Sequence, residues 1–193
     1  MKILQDHKLT IIAGVVLTLI LVSIGITNTI SGGGAYDGVD PFGLARYAHI
    51  LAGITWIGLL YYFNFVQVPS MGGLSADSKA DLFKEGSIAR RALWWFRWGA
   101  MFTLLFGLVL FYGLGASAGW DIRIGAAFGI IMWFNVWHII WPNQKKIIGI
   151  VEATADEKAA AGKKALIASR INTLLSIPML FFMTSSAHFP IFN

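Results

Sequence analysis

Residues 47–76 read YAHILAGITWIGLLYYFNFVQVPSMGGLSA, thirty residues without a single Lys, Arg, Asp or Glu. A helix that crosses a bilayer needs about 20 mostly apolar residues, because it rises 1.5 Å per residue through about 30 Å of hydrocarbon. This run supplies them, and His49 is the one imidazole within it. Four other runs share the property: Leu9 to Tyr36, the stretch after Arg97 as far as Trp120, Ile124 to Gln144, and Ile171 to Asn193. Helices are expected near 9–30, 43–68, 92–115, 122–142 and 167–188. The fold class that follows is all-α: a polytopic membrane protein with five transmembrane helices, the last four forming a core bundle.

Composition agrees. Of 193 residues, 56% are hydrophobic and 13% charged, against roughly 25% charged in a soluble domain. A water-soluble globule of this length has no means of hiding so much apolar surface. There is no cysteine, which excludes disulfides, thiolate metal sites, thiol nucleophiles and covalently attached haem c. The first apolar run is too long for a secretory signal and no small-residue cleavage site follows it, so it reads as an uncleaved anchor. The motifs GxGxxG, P-loop, HExxH and GxSxG are missing.

The net charge of +5 is a matter of topology. Eleven of the fifteen Lys and Arg lie in the N-terminal tail (Lys2, Lys8) and in the loops after helices 2 and 4, and none lies in the loops after helices 1 and 3. By the positive-inside rule the N-terminus is cytoplasmic and the C-terminus is on the far side of the membrane. A nucleic-acid footprint is not the reading of this pattern. Residues 151–166, rich in alanine and mixed charge, are expected to form a cytoplasmic surface helix leading into helix 5. Residues 75–90 suggest a shorter one.

Ionisable and polar groups inside the spans are costly and so are functional candidates. All ten acidic residues are expected outside the spans, so no buried carboxylate is anticipated. His49 begins helix 2 and His188 ends helix 5. The topology puts both at similar depth near the far-side surface, where two imidazoles from different helices can hold haem b. Arg46, one turn nearer the surface, is placed to pair with a propionate. The other reading is a pair of interfacial histidines satisfied by backbone or headgroups. Gly53 and Trp56 share the helical face of His49: the glycine admits a macrocycle or a neighbouring helix, and the indole can stack or donate. Arg97, within Trp94-Trp95-Phe96-Arg97-Trp98, is a snorkelling side chain or an anchor for an anion. Asn64, Gln67, Asn135 and Asn172 fall in the cytoplasmic half, as a polar network or as helix–helix glue. His138 sits at the opposite end from His49, and Pro178 is expected to bend helix 5.

Several strings taken together resemble a known family. They are Arg46-x-x-His49-x-x-x-Gly53-x-x-Trp56-Ile57-Gly58 with Tyr61-Tyr62-Phe63; Trp95-Phe96-Arg97-Trp98; Pro142-Asn143-Gln144-Lys145-Lys146; and Pro178 with His188-Phe189-Pro190. Over about residues 43–190 they resemble the membrane domain of the bacterial urate hydroxylase family (PuuD type), in which a cytochrome c domain follows. More distantly the chain resembles HemJ-type and CopD-like membrane proteins. The resemblance implies a membrane haem protein in redox chemistry, with His49 and His188 as the matched histidines. With no CxxCH, a standalone form is expected, passing electrons to a separate cytochrome c or within a respiratory or photosynthetic complex. Oxidation of urate or a porphyrinogen, and a non-catalytic accessory subunit, are the alternatives.

Overall fold

The computed structural model describes residues 2–35 and 37–192, and among these there is no β-strand. Five helices are long and apolar enough to cross a membrane. The chain divides into two compact units, residues up to Asp40 and from Pro41 onward.

The first unit is a helical turn, Lys2–Gln5, and the helix α1, His7–Ser31. Asp6 caps α1 by accepting from the backbone N–H groups of Lys8 (2.8 Å) and Leu9 (3.3 Å). No residue of α1 is buried within its own unit, yet its mean hydropathy reaches 2.7. Its hydroxyls are satisfied internally: Thr18, Ser23, Thr27 and Thr29 each donate to the carbonyl four residues back. Such bonds let polar side chains sit on a helix surrounded by an apolar medium.

The second unit holds the other four long helices. We name them with one short helix in chain order: α2 (Pro41–Gly73), α3 (Ala76–Phe83), α4 (Ile88–Leu114), α5 (Trp120–Ile147) and α6 (Ala155–His188). Helix α2 packs chiefly on α4, and α5 on α6. Glycines set both crossings. A Cβ at Gly99 would meet the Trp56 backbone nitrogen at 3.1 Å, and one at Gly125 would meet that of Met183 at 3.1 Å. The core between them includes Trp56, Leu60, Phe63, Phe96, Met132 and Val136.

Three features depart from the expected pattern. The surface helix and the last span are one 34-residue helix, about 51 Å long. It starts on a capping box, in which Thr154 N–H donates to Glu157 (2.8 Å) and Glu157 N–H to the Thr154 hydroxyl (3.3 Å). It also runs on through Pro178.

Second, α2 and α5 each contain a wide π-helical turn, Tyr62–Gln67 and Asn135–Ile140. Each is followed two residues later by a proline, Pro69 and Pro142, which cannot donate to the helix ladder. Third, Asp121, in the first turn of α5, is buried, only 2% exposed. The expectation that no carboxylate is buried therefore fails at Asp121. The reason is a local set of donors: Ser185 Oγ (3.0 Å) and the backbone N–H groups of Ile191 (2.7 Å) and Phe192 (3.0 Å). A carboxylate at a helix N-terminus with three donors is stabilised where a bare one would not be.

Candidate functional site

The four helices of the second unit border a partly open cavity of about 1690 Å³ at the end of the bundle where α2 begins and α6 ends. That exceeds the 300–1,000 Å³ or so of ordinary small-molecule pockets. Its lining runs along α2 from Phe42 to Tyr61, about 28 Å of helix, and includes both His49 and His188.

His49 is held firmly. Its Nδ1 lies 2.8 Å from the Thr103 carbonyl on α4. A carbonyl only accepts, so the neutral ring carries its proton on Nδ1 and keeps the lone pair on Nε2. Metal-binding histidines share this arrangement, in which the outer ring N–H is fixed by a carbonyl or carboxylate. Space for the ring is made by Gly107, where a Cβ would stand 3.0 Å from His49 Cε1. Thr103 and Gly107 lie one turn apart on α4. Neither has a sequence signature: one contributes a backbone oxygen and the other the lack of a side chain.

The remaining candidates divide. Arg46, exposed on the first turns of α2, lines the same cavity. Gly53 also lines it, and a Cβ there would meet nothing nearer than Thr103 Cγ2 at 4.0 Å. This glycine keeps cavity space open and does not set the helix crossing, which is the work of Gly99. Trp56 is 2% exposed, forms part of the cavity wall, and its indole N–H has no protein partner. His188 is exposed at the last residue of α6, and the chain beyond it is tied down by Asp121.

Arg97, Asn64, Asn135 and Asn172 do not line the cavity. The Arg97 guanidinium lies over the Trp141 ring, 3.3 Å from its centroid. Asn64 donates to the Leu60 carbonyl (2.9 Å) and to Ser169 Oγ (2.7 Å), joining α2 to α6. Asn135 donates to Asn172 Oδ1 (2.8 Å), and Asn172 to the Met132 carbonyl (2.9 Å), joining α5 to α6. His138 is exposed and stacks on Phe134 at 4.5 Å.

Residues 114–193 match the family described as urate oxidase N-terminal. The match takes in α5 and α6, and so Asp121, Asn135, Asn172 and His188, but not the helices that carry His49 and Arg97. No curated protein matches the chain, and no solved structure does.

A haem fits the residues present. The cavity is mostly apolar and large enough, the His49 Nε2 lone pair is available, and Trp56 offers an unused donor. Among the described residues no three His, Asp or Glu side chains converge on one point.

Proposed function

We propose that the protein is a b-type haem membrane protein that transfers electrons near the periplasmic face of a bacterial inner membrane. The observation that carries this is His49: a tautomer fixed by Thr103, a ring seated on Gly107, and a free Nε2 at an apolar cavity that His188 also lines. In this reading His49 and His188 would hold the iron, Arg46 would pair with a propionate, and Trp56 and Gly53 would form the wall. The bound group would supply one-electron chemistry. The chain's own residues orient it, exclude water and balance its charge. The N-terminus lies in the cytoplasm and the C-terminus in the periplasm, as the distribution of basic residues supports. The electron partner is then a cytochrome c or a larger membrane complex reached at that face.

The test is a pyridine haemochrome spectrum of protein purified in detergent. A b-type spectrum is expected, reduced or shifted in His49→Ala and His188→Ala. A preparation without haem, or spectra unchanged in both variants, overturns the reading.

The match of residues 114–193 favours a second reading, oxidation of urate or a related compound by the same redox centre. Arg97 would then attract the anion. Loss of urate with purified protein and an added electron acceptor, compared with Arg97→Ala, tests it. Turnover no faster than without protein removes it.

A further inference from the structure

The lining of the cavity on α2 stops at Tyr61, twelve residues and about 18 Å short of the end of that helix at Gly73, and Gln67 stands halfway between. The partition between them is not purely apolar. Tyr61 Oη lies 2.9 Å from Ser176 Oγ on α6. Ser176 donates to the Thr173 carbonyl at 2.7 Å, so the Tyr61 hydroxyl is the donor of the pair. One turn on, Asn64 donates to Ser169 Oγ at 2.7 Å, and the Thr173 hydroxyl donates to the Ser169 carbonyl at 3.0 Å. Ser169, Thr173 and Ser176 follow at i, i+4 and i+7, one face of α6 about 10 Å long.

Two acceptors on this seam have no donor within the protein. Asn64 Oδ1 and Gln67 Oε1 are both sealed from bulk solvent and unpartnered. The Asn64 orientation is fixed, because its Nδ2 is held by the Leu60 carbonyl. The wide turn Tyr62–Gln67 carries both side chains. Buried acceptors of this kind are satisfied by ordered water.

From this we infer that the Tyr61–Gln67 segment of α2 and the Ser169–Ser176 face of α6 form a hydrated proton pathway between the basic-loop end of the bundle and the floor of the cavity. The Tyr61 hydroxyl, already donating to Ser176, passes a proton from the cavity floor to Ser176 as it takes up another; the Ser176 hydroxyl turns from the Thr173 carbonyl to water along the hydroxyl face, which carries the proton by way of Ser169 to water bound to Asn64 and Gln67. Only O–H bonds form and break. Each oxygen gains one proton and releases another, and no oxidant or reductant is involved. The inference rests on the reading of the cavity as a functional site only in placing one end of the pathway there, and the pathway itself does not require the cofactor.

The experiment is proton flux into vesicles of phosphatidylethanolamine and phosphatidylglycerol holding the full chain and a pH-sensitive dye, driven by a valinomycin-clamped potassium potential. Wild type is expected to exceed protein-free vesicles at least about tenfold, and Tyr61→Phe and Ser176→Ala each to lower the flux about tenfold, one hydrogen bond's worth of barrier. Thr55→Val, on α2 but away from the cavity and the seam, is expected to conduct as wild type. Tyr61→Phe keeps the ring and so the packing, which guards against loss through misfolding. Wild-type flux equal to that of empty vesicles overturns the pathway whatever the haem spectrum shows, as does wild-type flux in both hydroxyl variants. Flux without a haem spectrum supports the pathway and counts against the cofactor alone.

Discussion

His49 on α2 donates from Nδ1 to the Thr103 carbonyl on α4 at 2.8 Å, and Gly107, one turn beyond Thr103, leaves the space in which the ring lies. Position, tautomer and available lone pair are thus set by two residues whose side chains add no ligand chemistry. A substitution at Gly107 should act on His49 first. Gly107→Val places atoms within 3.0 Å of Cε1 and must push the ring off its carbonyl. The expected result is loss of bound haem together with about 1–3 kcal/mol of stability, a usual cost of overpacking. Gly58→Ala, on the same cavity with no atom within 4 Å of its Cβ, should keep the haem. Haem-to-protein ratio and thermal unfolding in detergent measure both.

Asp121 presents the opposite case, a buried carboxylate held by donors from the end of α6 and the residues after it. Its oxygens accept from Ser185 and from the Ile191 and Phe192 backbone, some 70 residues away. Asp121→Ala leaves two backbone donors without their acceptor. The segment after His188 should then detach, with faster amide exchange at 191 and 192 and a lower unfolding temperature. Unchanged exchange at those two amides would show that the carboxylate does not hold the tail.

The Asn135–Asn172 pair should behave as helix glue. Asn172 is 0% exposed and meets both Asn135 and the Met132 carbonyl. A double-mutant cycle with alanine at both positions should give a coupling of about 0.6–1.7 kcal/mol, the range found between membrane helices. Neither variant should alter the haem spectrum, because neither side chain lines the cavity.

The helices were legible in the sequence because membrane physics writes them as charge-free runs. The same criterion explains what was misread. A run that begins after Arg123 excludes Asp121, since charge alone does not reveal that the last residues of the chain supply donors to it. The wide turns at Tyr62 and Asn135 were equally hidden: Pro69 and Pro142 mark them only once the ladder that each proline interrupts is known. Alanine-rich residues 151–166 and the span after them read as two elements because composition changes between them, yet the backbone hydrogen bonds do not stop. At the cavity, His49, His188, Arg46, Gly53 and Trp56 could be named from spacing. Thr103 and Gly107 could not, because what they contribute is a main-chain oxygen and an absence.

Arg97 separates packing from ligand binding. Its guanidinium lies flat enough over Trp141 to place Cζ 3.3 Å from the ring centroid, which ties α4 to α5. A planar guanidinium stacks on an aromatic face, whereas an ammonium is a compact, strongly hydrated charge, so lysine is not a conservative replacement here. Arg97→Lys should cost about 0.5–2 kcal/mol, the range for cation–π contacts, and Trp141→Leu should cost a similar amount without adding to it. If Arg97 also attracts an anionic substrate, Trp141→Leu should raise KM for urate far less than Arg97→Ala does. Equal effects of the two variants on KM would assign Arg97 to packing alone. Unfolding in detergent gives the stability cycle, and substrate titration with each variant gives the kinetic one.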